Sequence, residues 1–448
     1  IEAALRANPE LQADLAYYEG RLQRVPQATS LPDPSVQTKI AYSSGGTAPR
    51  GRTFPEPAVQ LPGTQSMRSN TAYTLQVMQP IPWPERLRLK GKMAEQEAAV
   101  ALETHNIRLL DIIHDISRRY YDLAFEHASL ALTRKEKTYV EQFIEATLAG
   151  YAFGRHGRQP LLKGQTELAR LDKELLGFPG RLESLRAALR AAVGNLHAAD
   201  ALLEQGDPPP LDDIAVMLPD IAPRELAAHA MERLPEAAQL ERQMEIGLLS
   251  RALAREDYRP DFTIGLEYMN SAAASMSMNA SGRRDTVGVM VGFTIPVPNA
   301  RRRAQMAEAR LIEKEARLRK QALAVKTASA LEGAFAQLRS LADRMLMYEE
   351  GLIPLAQETW ETSRAEYETG VGDYLNMLDA LRAIVGLRRE QLQIKRDYLL
   401  LLADAQRITG ARFVFLEVPH AARSGGFPAS DMGEENVTAP LLEEAHHE

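Results

Sequence analysis

The chain repeats itself once, and this duplication restricts the fold to two similar halves. Ile81-Pro82-Trp83-Pro84 in the first half returns as Ile295-Pro296-Val297-Pro298 in the second. Each copy is followed by a basic, alanine-rich run with the character of a helix. Tyr151-x-x-Gly154 likewise returns as Tyr367-x-x-Gly370. Both copies therefore predict the same order: a helix, a strand pair, a long helix, a glycine-containing break and another long helix.

The duplication divides the chain into two repeats, a linker and a tail. Proline lacks the backbone donor that a helix needs, so the run from Gly206 to Pro210 breaks the helix before it. The tail is acidic and contains paired glycines, which is typical of a disordered segment. The expected bounds are 1–205 for the first repeat (hairpin 35–82, tip near 151–160), 206–223 for the linker, 224–413 for the second repeat (hairpin 261–297, tip near 367–375) and 414–448 for the tail.

The helical runs are unusually long. No proline interrupts the stretch from Glu85 to Leu148, which at 1.5 Å per residue would extend over about 95 Å. That length exceeds an ordinary globular domain and favours a coiled coil or a tube. The matching run from Ala300 to about Tyr367 contains Pro354, which predicts a kink or a break at that point.

Four runs alternate apolar and polar side chains with the period of a β-strand. They include Val36, Tyr73, Phe262 and Val287. Each approaches the roughly 9–11 residues that a membrane-spanning strand needs, and small hydrophilic residues on the polar face suit a wet lumen. Two half-buried hairpins packed on helices are the alternative. Four strands cannot close a barrel, and lipid does not tolerate open edges, so spanning strands would require several copies of the chain.

Composition taken alone suggests a soluble helical protein and excludes several functions. The 448 residues include 53 Lys and Arg against 60 Asp and Glu, a net charge of −7, which argues against general nucleic-acid binding. Cysteine is absent, which excludes disulfides, cysteine-ligated zinc and thiol catalysis. No run approaches the roughly 18 apolar residues of a spanning helix. The chain begins at Ile1 without a signal peptide, so we expect a processed or trimmed start.

Enzyme motifs are weak in this sequence. It has neither a phosphate-binding loop for nucleotides nor a serine-hydrolase elbow. A helical di-metal oxidase would need two Glu-x-x-His motifs in one bundle, whereas the chain offers Asp111-x-x-His114 and, in the tail, Glu443-x-x-His446. For Asp111 and His114 we expect a polar pair that lines the tube or pairs between helices, with no metal site and no cofactor. A helical metalloenzyme and a soluble coiled-coil scaffold are the competing functions.

Several short motifs follow one another in a fixed order along the chain. They are Asn8-Pro9-Glu10-Leu11, Pro32-Asp33-Pro34, Gln79-Pro80-Ile81-Pro82-Trp83-Pro84, Pro260-Asp261, Ile295-Pro296-Val297-Pro298, and Tyr367-x-x-Gly370 followed by Leu378-Asp379-Ala380. In this order they resemble the TolC-like outer-membrane factor family, the exit ducts of tripartite efflux pumps and type I secretion systems. The resemblance covers about Ile1 to Phe413.

The resemblance implies a mainly α fold with a membrane β-barrel. Long α-helical coiled-coil hairpins and four β-strands per chain would form a trimeric twelve-stranded barrel and a twelve-helix periplasmic tube. It implies a channel rather than an enzyme, located in the outer membrane and extending into the periplasm. The partners implied are a homotrimer, a periplasmic adaptor protein, an inner-membrane pump contacted indirectly, and outer-membrane lipid.

The resemblance also suggests a cargo. The exit motif around Trp83 and the basic helix after it look most like the heavy-metal efflux branch, so heavy-metal cations are the expected cargo. Drug or solvent efflux and type I secretion are the alternatives within the family. Members often carry a lipidated cysteine at the mature N-terminus, which this chain lacks.

Two sites at the helical tips follow from the resemblance. The periplasmic end of the family's duct is an iris, ringed by acidic residues shortly after the Tyr-x-x-Gly turn. The matching channel-constriction positions are Asp379 and Asn376, with Asp373 just before them and Lys163 at the equivalent place of the first repeat. Of the two matching positions, only Asp379 keeps the carboxylate. Lys163 would add positive charge, so the ring would carry charges of both signs. The tips would dock the adaptor through Gly154, Arg155, His156, Gly157, Gly370 and Gly372, whose glycines are expected to allow the chain reversal.

Overall fold

Long helices and one small sheet make up the molecule. A computed structural model describes residues 5, 8–44, 69–152, 157–195, 197, 199–200, 222–272, 283–297, 299–369 and 371–410. The helices are α1 (Pro9–Leu22), α2 (Arg24–Thr29), α3 (Pro84–Ala152), α4 (Arg158–Val193), α5 (Pro223–Arg233), α6 (Pro235–Glu256), α7 (Ala300–Met347), α8 (Ile353–Glu368) and α9 (Tyr374–Thr409). The strands are β1 (Ser35–Ser44), β2 (Ser69–Ile81), β3 (Phe262–Ala272) and β4 (Arg283–Phe293).

Helix α3 confirms the predicted uninterrupted run, with 69 residues. Its counterpart in the second half is divided, because α7 ends at Met347 and a π-helical turn, Tyr348–Leu352, leads into α8. Pro354 stands in the first turn of α8. Proline has no N–H to donate to the preceding turn and its ring crowds that turn's carbonyl, so the wider π turn lies where the sequence predicted a break. Among the described helices, none is both long and apolar enough to cross a membrane.

The sheet joins the two halves of the chain. Its order is β1-β2-β3-β4, and every neighbouring pair is antiparallel. The central pair is β2 with β3, in which Val77 lies opposite Leu266. Within the described residues β1 and β4 each pair on one side alone. The sheet therefore has two strand edges that the described residues leave unpaired.

The two faces of the sheet differ in chemistry and in exposure. On the polar face, Gln76 and Glu267 are partly buried, and Gln76 Nε2 donates a hydrogen bond to Glu267 Oε1 over 3.0 Å. The opposite face carries exposed large apolar side chains: Val36, Ile40, Tyr73, Leu75, Val77, Phe262, Ile264, Leu266, Tyr268, Val287, Val289, Val291 and Phe293. A hairpin packed on helices would bury these residues, so the half-buried alternative is wrong for this sheet.

Capping residues define the start of α1 and the ends of α4 and α9. Asn8 caps α1 by accepting a hydrogen bond from the backbone N–H of Glu10, and its Nδ2 donates to the carbonyl of Val193 at the end of α4 over 2.9 Å. Gly194 then ends α4 with a φ of 73°, which a side chain rarely adopts. Gly410 ends α9 in the same way, with a φ of 65°. The corresponding helices of the two repeats thus end in the same way, each with a glycine in the left-handed conformation.

The helices meet in a hydrophobic core close to the tips. Helices α3, α4, α8 and α9 contribute Val140, Phe143, Leu171, Trp360, Tyr367, Tyr374, Met377, Leu378, Ala380, Leu381, Ile384 and Val385. The rings of Phe143 and Trp360 pack edge to face with their centroids 5.4 Å apart. This core holds the four helices together at the end where the sequence predicts a constriction.

Candidate functional site at the helical tips

Asp379 projects from the exposed side of α9. Its side chain is 72% exposed, and its Oδ1 lies 3.5 Å from Nη1 of Arg382, one turn further along the helix. Asn376 is also exposed, and so is Asp373 at the N-cap position of α9. The Asp373 carboxylate makes no capping hydrogen bond, although negative charge is favoured at the start of a helix. The three α9 positions of the predicted constriction therefore present polar side chains to solvent.

The remaining tip residues fall into two groups. Lys163 is half-buried on α4, one turn before the carboxylate of Glu167. Gly157 is the exposed N-cap of α4 and has open space where a side chain would be. Gly154, Arg155, His156 and Gly370 lie outside the described residues.

Gly372 is needed for a reason that the sequence did not give. Its backbone is not in the left-handed region, so a positive φ is not what requires glycine here. The N–H of Gly372 instead donates to the carbonyl of Glu366 over 2.9 Å. A Cβ at this position would stand 2.8 Å from Cβ of Glu366, closer than real contacts allow. The turn therefore uses glycine because the chain folds back against the end of α8.

Two buried carboxylates lie behind Asp379, and the sequence interpretation missed both. The first is Glu167 on α4, whose side chain is 3% exposed. It accepts hydrogen bonds from Nη2 of Arg170 over 2.6 Å and from Arg382 on α9. Burial alone would raise the pKa of Glu167, but the hydrogen bonds from Arg382 and Arg170 outweigh it and hold the pKa below its usual range. Arg382 thus connects the exposed Asp379 with a buried anion on another helix.

The second buried carboxylate is Glu136 on α3. Its side chain is 3% exposed and lies 3.6 Å from Arg170 and 3.8 Å from Arg389. Its Oε2 is buried without a hydrogen-bond donor among the described residues. Burial raises the pKa of Glu136, and the nearby charges of Arg389 and Arg170 oppose this only in part. Arg389 also pairs with Glu174 over 3.2 Å, so its charge is shared.

A sequence signal for Glu136 does exist. The buried positions of this part of α3 follow the alternating four- and three-residue spacing of a coiled-coil seam. They are Ser129, Thr133, Glu136, Val140, Phe143 and Thr147. A carboxylate at such a seam position interrupts an otherwise buried stripe. That interruption marks a buried polar contact, although it does not name the partner.

Tyrosines connect this layer to the turn between α8 and α9. Tyr367, which opens the Tyr-x-x-Gly motif, shares a buried hydrogen bond of 2.7 Å with Thr147 on α3. Its ring packs at 5.9 Å from that of Tyr374. The Tyr374 hydroxyl has no hydrogen-bond partner among the described residues and lies over Gly164, where a Cβ would be 2.7 Å away. Burial raises the pKa of Tyr374 to about 12, so this hydroxyl stays protonated.

Asp111 and His114 also receive partners from another helix. Nε2 of His114 lies 2.7 Å from the carboxylate of Asp404, and Arg407 binds Asp111 over 2.6 Å. The predicted pairing between helices is confirmed, with α9 as the partner helix. In the described part of the chain no three potential metal ligands come together.

Replacing Glu136 with glutamine is expected to change how stability depends on pH. A raised folded-state pKa means that ionisation costs stability as the pH climbs from the unfolded value through the folded one. Glutamine removes this titration, so the free energy of unfolding of E136Q should increase relative to that of the wild type as the pH rises from 4 to 8. Thermal unfolding of both proteins across this range measures the gap. If the difference in stability between E136Q and the wild type stays constant, or shrinks as the pH rises, the pKa of Glu136 is not raised in the folded protein.

The fold and the tips together define a class of protein. Long helical hairpins stand below a sheet whose apolar side chains face outward and whose edges are open. The residues gathered at the tips are charged pairs and packed rings. The molecule is a membrane duct rather than an enzyme.

Comparison with known proteins gives the same answer. The family model described as outer membrane efflux protein matches residues 1–195 and 228–411. The chain belongs to this family, which confirms the resemblance to the TolC-like ducts, and it is accordingly an outer-membrane protein that extends into the periplasm. A search of curated proteins finds no match.

Solved structures show the same fold at low sequence identity. VceC, an outer membrane protein of Vibrio cholerae, is 18% identical with a TM-score of 0.67, covering 92% of this chain and 95% of its own. CusC is 15% identical with a TM-score of 0.69, and the coverage is 91% and 90%. The MtrE outer membrane channel of Neisseria gonorrhoeae, in its open state, is 14% identical with a TM-score of 0.68 and coverage of 91% and 87%.

Proposed function

We propose that three copies of this chain form the outer-membrane exit duct of a tripartite efflux system that exports heavy-metal cations. The observation that carries the duct is the four-stranded sheet, which has one apolar, solvent-facing side and, in the described part of the chain, two unpaired edges. Lipid would cover the apolar side, and strands of neighbouring copies would satisfy the edges, because a hydrocarbon environment leaves no other partner for them.

The constriction is proposed at Asp379, Asn376, Asp373 and Lys163. Three copies of the exposed Asp379 around an axis would attract cations and repel anions. Arg382 lies 3.5 Å from each carboxylate and moderates this charge. Since Arg382 also binds the buried Glu167, the position of Asp379 depends on how α9 sits against α4. A shift between these helices would move the constriction.

The tips are proposed as the docking surface for the periplasmic adaptor. The first tip carries the basic residues Arg155, His156 and Arg158, whereas the second carries the acidic residues Glu366 and Asp373. Opposite charges on the two tips would let an adaptor with complementary charge distinguish them. The glycines of the two tips, Gly154, Gly157, Gly370 and Gly372, would allow close approach at the same points.

Replacing Asp379 with alanine should raise single-channel conductance in planar bilayers. The side chain becomes smaller, and the carboxylates that hold multivalent cations are gone, so block by such cations should weaken by about tenfold. The control is D397A, which removes another carboxylate of α9 that already pairs with Arg396. If D379A keeps the conductance and block of the wild type, Asp379 is not at the narrowest point.

The proposed cargo can be tested by deleting the gene in its native bacterium. Deletion should increase sensitivity to heavy-metal salts, and the gene on a plasmid should restore resistance. Hypersensitivity to drugs or solvents alone would instead favour the alternative cargo of the family. Loss of a secreted polypeptide without either sensitivity would favour type I secretion.

A further inference from the structure

Methionines in the sheet are confined to one face. The four strands contain Met78, Met269 and Met290, and all three side chains lie on the polar face. The opposite face, which carries the exposed Val, Ile, Leu, Phe and Tyr residues, contains no methionine among the described strand residues. If thioethers served only as apolar filler, the apolar face would be expected to hold some of them.

Two of these methionines converge on one glycine. Met78 of β2 and Met290 of β4 both pair with Gly265 of β3, one from each side. A Cβ at Gly265 would lie 3.2 Å from Cγ of Met78 and 3.6 Å from Cβ of Met290. The missing side chain therefore leaves a space that the two methionine side chains share.

Further donors stand on the same face in the following rows. Glu267 lies one row from Gly265 and accepts a hydrogen bond from Gln76. Met269 lies one row beyond that and is 36% exposed. The polar face thus presents two methionines in one row, on either side of Gly265, then a carboxylate, then a third methionine.

We propose that Met78 and Met290, with Glu267 and Met269 beyond them, form a transit site for soft monovalent cations such as copper(I) or silver(I). The thioether sulfur is a soft ligand that selects such ions, whereas hard cations such as Mg²⁺ prefer oxygen. Glu267 supplies a negative charge close to the path. The site rests on the proposed function, because the polar face must line the passage for an exported ion to meet it. In a trimer the first row would contain six thioethers at one level.

Silver binding to the purified full-length protein in detergent tests the site. Isothermal titration with silver nitrate, in a buffer free of chloride and thiols, should show sites that M78L/M290L loses or binds at least about tenfold more weakly. Leucine keeps the volume and apolar character of methionine, so the sheet should fold normally. The control is M345L, which replaces a buried methionine of α7 and should bind silver as the wild type does. Silver held by Met276, Met278 or the His446-His447 tail contributes equally to every variant.

The outcomes separate the site from the proposed cargo. Weaker silver binding in M78L/M290L alone supports the site, even if gene deletion leaves metal sensitivity unchanged, in which case only the cargo proposal fails. Equal silver binding by wild type, M78L/M290L and M345L overturns the site, even if the deletion strain is metal-sensitive. An equal loss in M345L also overturns it, because the effect would then not be specific to the strands.

Discussion

Replacing Val289 with lysine is expected to prevent assembly in the outer membrane. Val289 lies near the middle of β4, is 73% exposed on the apolar face and stands opposite Leu266. A lysine facing the middle of a bilayer costs about 2–4 kcal/mol per copy, and a trimer would contain three such lysines. We expect loss of the protein from the outer-membrane fraction and loss of the trimer band on native gels.

The neighbouring residue provides a matched control. Gly288 is on the polar face opposite Glu267, and a Cβ there would have its nearest neighbour 4.0 Å away. The variant G288K adds the same charge one residue away, next to a carboxylate, and should assemble normally. If G288K and V289K both assemble, or both fail, the two faces of the sheet do not differ as lipid and lumen do, and the proposed orientation of the sheet is wrong.

Replacing Glu167 with glutamine should loosen the tips. The charged hydrogen bonds from Arg170 and Arg382 are lost or weakened, and each guanidinium keeps only its longer contact, to Glu136 or to Asp379. Removing one partner of a buried ion pair costs about 3–5 kcal/mol, and partial exposure of both arginines reduces this to about 2–3 kcal/mol here. We expect faster hydrogen exchange in α4 and α9 near this contact and higher single-channel conductance.

A second carboxylate of α4 is the control for this experiment. Glu183 pairs with Arg190 at the surface, where its side chain is 62% exposed, so E183Q should change stability by less than about 0.5 kcal/mol. The double variant E167Q/R382Q completes a thermodynamic cycle in which the two single effects should not add. Additive effects would mean that Glu167 and Arg382 act independently, and the proposed coupling between α4 and α9 would then be lost.

Local patterns predicted the elements of this fold well. The strands follow from alternation over about ten residues, and α3 follows from a run without proline, so each needs only neighbouring residues. The pairing of β2 with β3 could not be read locally, because Gln76 and Glu267 are 191 residues apart. The duplication predicted only that the two hairpins are similar to each other. Their register comes from the packed structure.

At the tips, too, the sequence predicted the local features but not the contacts between distant residues. The sequence located Asp379 and the turn that precedes it, because the Tyr-x-x-Gly motif is local. It did not reveal Glu167 as the partner of Arg382, since 215 residues separate them and ion pairs between helices leave no periodic signal. It placed Gly372 in the chain reversal but did not reveal the close approach to Glu366 that requires a glycine there. Turn glycines with ordinary φ values cannot be told from left-handed ones by sequence.

The open edges of the sheet have a genetic consequence. If β1 and β4 must pair with strands of other copies, a defective chain damages every assembly that it joins. In a cell producing equal amounts of wild-type and defective chains that still associate, only about one eighth of the trimers would be entirely wild type. A defect at the tips, such as one at Glu167 on α4, should therefore behave as a dominant mutation. A defect such as V289K, which stops the chain before assembly, should be recessive.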